Sequence, residues 1–229
     1  MPRNGAPTRE RILDEAGRLI VERGFAATTV DAMLEAAGTT KGAFFHHFPT
    51  KASLGRALVE RYAAEDVALL DELMREAEAA SADPVEQLLV FLERFEEAAD
   101  AAAQEHPGCL YVSFLHQRQL VDDSTIDLIV DATLAWRRRL AAKLQEAAAH
   151  HPPRLRFEPQ SLADLVFTTF EGGFILARTM GDPALLRGQL AHVRYYLALL
   201  FDAQPRARTR TSAISVALPS GTSTTQTST

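Results

Sequence analysis

The chain carries a single cysteine, Cys109, in 229 residues, so no disulfide can close within it; that suits a reducing compartment. It lacks a secretory h-region at its start, and no apolar run approaches the ~18–20 residues that span a bilayer. A cytoplasmic location with no membrane partner is therefore expected. No internal repeat is visible. Basic residues are in deficit, with 24 Lys and Arg against 30 Asp and Glu and a formal charge of -6, which argues against non-specific nucleic-acid binding by the whole surface. The deficit is uneven, however. Residues 1–56 hold eight basic and six acidic side chains, a net of +2, and the remaining 16 basic and 24 acidic give -8. Only the N-terminal part leans toward phosphate. At 47% hydrophobic and 24% charged, the composition is that of an ordinary globular protein of one or two domains.

What the chain does contain is helical periodicity from end to end, so an all-α fold is expected. Residues 1–7, with Pro, Gly and Asn, read as an arm. Thr8 is placed to cap a first helix with Ile12, Leu13, Ala16, Leu19 and Ile20 on one face, and Gly24 stops it, followed by Phe25 as a core plug. Between Thr28 and Leu54 two short helical patterns meet at Gly38. Val30, Met33, Leu34 and Ala37 recur at helical spacing behind a Thr28 or Thr29 cap. Gly38 supplies a left-handed turn residue. Thr39 or Thr40 caps a shorter helix anchored by Phe44, Phe45 and Phe48, which Pro49 ends. Thr50 can cap a longer fourth helix from Lys51. Helix, glycine turn, short helix is the outline of a helix-turn-helix, over about residues 29–48, whose second helix enters the DNA major groove.

The same residues carry a family resemblance. Gly38-x-Thr40-Lys41-Gly42-Ala43-x-Phe45-His46-His47-Phe48-x-x-Lys51-x-x-Leu54 resembles the recognition-helix signature of TetR family transcriptional regulators, and Ala16 to Phe25 with Thr28-Thr29-Val30 is similar to that family's first helix and second-helix start. The resemblance is specific over about residues 8–59 and architectural beyond. Two departures stand out: Phe45 replaces the usual Tyr, removing a hydroxyl that contacts phosphate, and Thr39 stands where an aliphatic residue is usual. The resemblance implies a three-helix DNA-binding domain at residues 8–50 and a helical ligand-binding and dimerisation domain at residues 51–203. It also implies a homodimer through the last two helices; Gly172-Gly173 there needs a close contact to offset poor helix propensity, read as a subunit interface with packing inside one subunit as the alternative.

Beyond Val59 the reading is local. Leu54, Leu58, Tyr62, Val67, Leu70, Leu73 and Met74 extend the fourth helix, a natural mechanical link out of the DNA-binding part. Asp83-Pro84-Val85-Glu86 starts another helix, with Asp as cap, Pro in the first turn and Glu answering the cap. Pro107-Gly108-Cys109-Leu110 resembles a motif of one TetR subgroup, and Cys109 to Leu120 reads as a helix. Asp123 or Ser124 caps the next, through Ile126, Ile129, Thr133, Trp136, Leu140 and Leu144. Residues 150–159 form a Pro-rich loop. Leu162, Leu165, Val166, Thr169 and Leu176 mark an eighth helix; Leu186, Leu190, Val193, Leu197 and Leu200 mark a last one begun by Asp182-Pro183. Residues 204–229, rich in Ser, Thr and Arg, bury too little apolar surface to offset the entropy of ordering and are expected to be disordered; Arg206, Arg208 and Arg210 there are taken as solvated.

Candidate DNA-binding residues are Thr28, Thr29, Thr39, Thr40, Lys41, Gly42, Ala43, Phe45, His46 and Lys51. Lys41 and Lys51 suit phosphates, and Gly42 lets the backbone approach the duplex. Thr40, Ala43 and His46 offer a hydroxyl, a methyl and an imidazole to base edges. His47 is expected half-buried. No metal or other cofactor is expected: adjacent histidines, as at His46-His47 and His150-His151, point about 100° apart and nothing completes either pair. Cys109 and His116 lie two helical turns apart with no third group, so no catalytic site is expected and no enzyme is read. By the resemblance, a ligand pocket lies among helices four to eight, with Phe91, Phe95, Tyr111, Phe114, Trp136, Phe170 and Phe174 as lining and His116, Gln117 and Arg178 as polar partners; a plain aromatic core is the alternative. The reading is a DNA-binding transcriptional regulator, a repressor that binds a palindromic operator as a dimer and is released by a small apolar or aromatic effector of unknown identity. The alternatives are a helical small-molecule carrier or enzyme without operator binding, and a structural module that only dimerises.

Overall fold

The computed structural model describes residues 6–105 and 108–203. Among them are nine α-helices, a short 3-10 turn and no strand: α1 Ala6–Arg23, α2 Val30–Ala36, α3 Lys41–His47, α4 Lys51–Ala80, α5 Pro84–Glu105, α6 Leu110–Leu115, the 3-10 turn Arg118–Leu120, α7 Asp123–His150, α8 Pro159–Met180 and α9 Ala184–Leu200. They fall into two compact units. The first comprises residues 6–62 and 110–128, the second residues 63–105, 108–109 and 129–203. The sequence reading placed one boundary at 50/51. The units differ from that division because α6 packs on α1 and Phe114 sits against Phe25, contacts between residues too distant in sequence to show in local periodicity. The expected tail at 204–229, with its three arginines, and most of the expected arm lie outside the described residues.

Several starts differ from expectation for local reasons. α1 begins at Ala6, so Thr8 lies within its first turns rather than capping it, and Pro7 occupies a position where its missing N–H costs nothing. The cap of α7 is Asp122, whose carboxylate accepts the Thr125 N–H at 2.8 Å; Ser124 donates its hydroxyl to the same carboxylate instead of capping. The Cys109–Leu120 segment is not one helix. After Leu115 the bonding tightens, with the Gln117 N–H reaching the Phe114 carbonyl and the Leu120 N–H the Gln117 carbonyl, which yields a 3-10 turn. At α5, Asp83 caps as expected, through the Val85 and Glu86 amides at 2.8 and 3.1 Å, but Glu86 accepts the Ser81 hydroxyl at 2.6 Å.

In the second unit the most extensive pairings join α9 to α8 and to α5. All five leucine and valine positions expected to form the α9 stripe are buried. Gly173 is where α8 and α9 approach closely: an added Cβ would lie 2.5 Å from Leu186 Cδ1 and 3.3 Å from its Cα. Gly172 meets nothing within 4 Å. The glycine pair therefore splits, one residue serving the α8–α9 contact and the other facing out. Two charge clusters are taken inside. Arg194 donates to both carboxylate oxygens of Glu96 at 2.6 and 3.3 Å, and Lys143 reaches Gln87, Glu146 and Glu78 at 2.7, 2.7 and 3.0 Å. Such pairs persist only when each charge keeps its partner.

Candidate nucleic-acid interface

Seven residues make a helix too short to persist alone, and α2 and α3 have seven each. Caps, turns and anchors supply what length does not. Thr29 caps α2 by accepting the Ala32 N–H at 3.1 Å, and Thr40 caps α3 by accepting the Ala43 N–H at 3.2 Å. Gly38 has φ +56°, left-handed geometry that costs a β-carbon-bearing residue, and this lets the chain reverse between the helices. From α1, Arg11 donates its Nε–H to the Ala37 carbonyl at 2.8 Å, closing the end of α2. Thr50 and Ser53 then cap α4 reciprocally, each hydroxyl accepting the other residue's N–H at 2.9 and 3.0 Å.

The anchoring face of α3 is aromatic. Phe44 is 0% exposed and Phe48 is buried, their rings 5.9 Å apart, while Arg9 lies 5.4 Å over the Phe48 ring. With those two turned inward, Thr40, Lys41, Gly42, Phe45 and His46 are left outward, Ala43 and Thr39 half-exposed, and His47 half-buried as expected. Phe45 differs from the sequence reading, which made it an anchor: it is 42% exposed, edge-on to Phe44 at 5.3 Å. Lys41 is exposed and makes no hydrogen bond or ion pair with a described residue. An added Cβ on Gly42 would meet nothing within 4 Å, so it is the outer side of that residue that is open. One face of α3 thus offers a cation, a hydroxyl, an imidazole and a bare stretch of backbone, the groups that meet phosphates and base edges.

Two proposed members lie elsewhere. Thr28 is 1% exposed, and its hydroxyl is directed at the Gly24 and Leu19 carbonyls at 2.8 and 3.2 Å. Lys51 donates to the Phe25 and Ala26 carbonyls at 2.5 and 3.3 Å and sits 4.6 Å over the Phe25 ring; burial pushes its ammonium below the ordinary lysine value. Neither side chain is free to meet a duplex as Lys41 is.

The ligand candidates divide as well. Phe91, Phe95, Trp136, Phe170 and Phe174 form one continuous cluster in the second unit, Trp136 packing on Phe95 at 5.1 Å, Phe95 on Phe170 at 5.3 Å and Phe170 on Phe174 at 4.9 Å. The Trp136 Nε1 is buried with no hydrogen-bond partner among the described residues. Beside Phe170, desolvation pushes the Glu171 carboxyl above the ordinary glutamate value, against a lowering hydrogen bond from Cys109 and with a further upward push from Asp66. Tyr111 and Phe114 instead belong to the first unit, Tyr111 edge-on to Tyr62 at 4.8 Å and Phe114 against Phe25 at 4.9 Å. His116 and Arg178 are exposed. Gln117, read as a ligand partner, accepts the Ala26 N–H in the α1–α2 turn. A separate cavity of about 250 Å³ in the second unit, lined by Leu89, Glu93, His151, Arg194 and Phe201 among others, touches none of the aromatic cluster.

The family model of the bacterial regulatory proteins of the tetR family matches residues 12–58, the stretch that contains this capped, glycine-turned pair of helices. The chain belongs to the TetR family. Transcriptional regulator AcuR of Cereibacter sphaeroides is 29% identical over 159 residues, covering 69% of this chain and 71% of that one. HTH-type transcriptional repressor NemR of Escherichia coli is 26% identical over 196 residues, 83% of this chain and 94% of its own. The fold is shared with a TetR family regulator from Agrobacterium tumefaciens, with a TM-score of 0.73 over 84% of this chain and 98% of that one at 22% identity. As a TetR family member, the chain is a DNA-binding transcriptional regulator. No helix among the described residues is long and apolar enough to cross a membrane.

Proposed function

We propose that the protein is a ligand-responsive repressor that binds a palindromic operator as a homodimer and releases it when a small apolar or aromatic effector binds in the second unit. The observation that carries the DNA half is the α3 face, with Lys41, Gly42 and His46 turned outward while Phe44 holds the helix down.

The dimer rests on the outer face of α8 and α9. Ile175, Met180 and Leu199 are 67%, 66% and 66% exposed, with Leu165, Leu176, Tyr195 and Tyr196 also exposed on the same two helices. Large apolar side chains gathered at this density on one surface favour a second copy over water. Gly172 and Gly188, open within 4 Å, leave room for close approach. A two-fold axis then presents two α3 helices to half-sites about one duplex turn, or a multiple of it, apart.

The effector reading rests on the Phe91–Phe174 cluster and its unpartnered indole N–H. α4 is one uninterrupted helix whose residues 51–62 count with the first unit and 63–80 with the second, a covalent route between effector and operator. An effector that favours the subunit shape less suited to DNA weakens operator binding by the factor by which DNA weakens the effector. Near-complete release takes about 10⁴-fold differential affinity.

The test is titration with a random-sequence duplex pool at several salt concentrations. Sequence enrichment and a negative log-log salt slope are expected, and Lys41→Ala should make that slope shallower by about 1 for each phosphate deprived of its lysine. Lys51→Ala, by contrast, should act on stability. Ile175→Glu with Leu199→Glu should yield monomers in sedimentation. Binding with neither enrichment nor salt dependence sinks the repressor reading.

A further inference from the structure

The α1–α2 turn, residues 24–28, carries no helix of its own yet decides where Thr29 begins α2. Gly24 enters it at φ +86°. The Thr28 hydroxyl closes it locally on the Gly24 carbonyl at 2.8 Å. From α4, Lys51 grips the Phe25 and Ala26 carbonyls. The remaining support comes from far along the chain: Gln117 Oε1 accepts the Ala26 N–H at 2.5 Å across a separation of 91 residues. Phe114, three residues before it, seats its ring against Phe25 at 4.9 Å. The fit is close on both sides. An added Cβ at Gly24 would lie 2.9 Å from Gln117 Nε2, and one at Gly55 would lie 3.0 and 3.1 Å from the Phe25 and Phe114 rings.

The Ala26 amide is exposed, so water can satisfy it when Gln117 is gone. The bond therefore contributes little to stability and much to where the turn sits. The same turn holds α2 through Thr29, and α2 leads through Gly38 into α3. We infer that Gln117, backed by Phe114, is a positioning residue for DNA recognition: a segment outside the helix-turn-helix clamps the α1–α2 turn and sets the placement of α2 and α3 on the duplex. This rests on the reading of α3 as the DNA-facing helix.

The experiment uses the full chain and the duplex enriched from the random pool by the unmodified protein. Gln117→Met keeps length and loses the acceptor; Gln117→Glu keeps an oxygen for the Ala26 N–H. Gln117→Met should weaken binding roughly fivefold, the lower end of a coupling between distinct sites, with an unchanged melting temperature and faster hydrogen exchange at the Ala26 amide. Gln117→Glu should restore protection of that amide. The clamp is overturned if Gln117→Met exposes the amide while affinity holds. It is equally overturned if the melting temperature falls and affinity per folded molecule stays constant, since the bond is then structural only. Lys41→Ala on the same duplex separates the two ideas. Weakening by Lys41→Ala without weakening by Gln117→Met removes the clamp alone, whereas no effect from either removes the DNA-facing reading and the clamp with it.

Discussion

The two units expose opposite chemistries. In the first, Phe44 and Phe48 at α3 point inward, while Lys41, unpaired among the described residues, and His46 lie on the outward face beside the exposed Phe45. In the second, charge is drawn inside, as in Arg194 with Glu96 and Lys143 with its three partners, while α8 and α9 turn Ile175, Met180 and Leu199 outward. A surface of open hydrogen-bonding groups suits a charged polymer, and a surface of uncovered apolar groups suits a copy of itself. The exposed residues, more than the buried ones, distinguish what each unit is for.

The largest effect that breaks this contrast falls on the first unit. Phe44→Ala removes a 0% exposed ring from a helix of seven residues and should cost about 3–5 kcal/mol. Trp136 is the only tryptophan and lies in the second unit, so its emission follows that unit alone. Chemical unfolding of Phe44→Ala should show loss of helical signal before the emission changes, and no duplex binding; coincident transitions would mean that the units do not behave independently. The matching change in the second unit is Arg194→Leu, which strands the Glu96 carboxylate inside. The expected cost is about 3 kcal/mol at neutral pH, read by the Trp136 emission, with duplex binding intact at low denaturant.

The smallest effect concerns pH. Burial raises the Glu171 carboxyl in the folded state, so the folded chain prefers it protonated. The sign follows: the stability linked to this group is present at acid pH below its unfolded value and is lost as pH rises through the folded one. Glu171→Gln should therefore be more stable than the unmodified chain at neutral pH, and the gain should vanish as pH falls below the ordinary glutamate range. Thermal melts at both pH values decide it; a gain independent of pH would assign the effect to packing.

How far the sequence could be read follows from the range of each interaction. Caps, glycine turns and the Phe44 and Phe48 anchors act within a few residues, so the helix-turn-helix was legible, as was the α9 stripe, whose partners repeat at helical spacing. Thr28 looked like a cap, but its hydroxyl turns back nine residues to Leu19. Lys51 looked like a phosphate ligand, but the carbonyls it meets are 25 and 26 residues away. Gln117 and Phe114 read as pocket residues because periodicity says which face is buried and nothing about what buries it. Of the seven aromatics that the resemblance implies as pocket lining, Phe91, Phe95, Trp136, Phe170 and Phe174 form one chain of ring contacts, whereas Tyr111 and Phe114 pack on Tyr62 and Phe25, a division that helical spacing does not carry.

One consequence follows from how α3 is held. Lys41, Gly42 and His46 lie outward, the caps and rings that fix the helix are other residues, and His46 touches the half-buried His47 ring at 5.2 Å. Those three positions can drift while the scaffold stays as it is. A lineage, or a laboratory library confined to them, can explore new target sites with almost no structural penalty, so the vocabulary of this regulator is far easier to rewrite than its architecture.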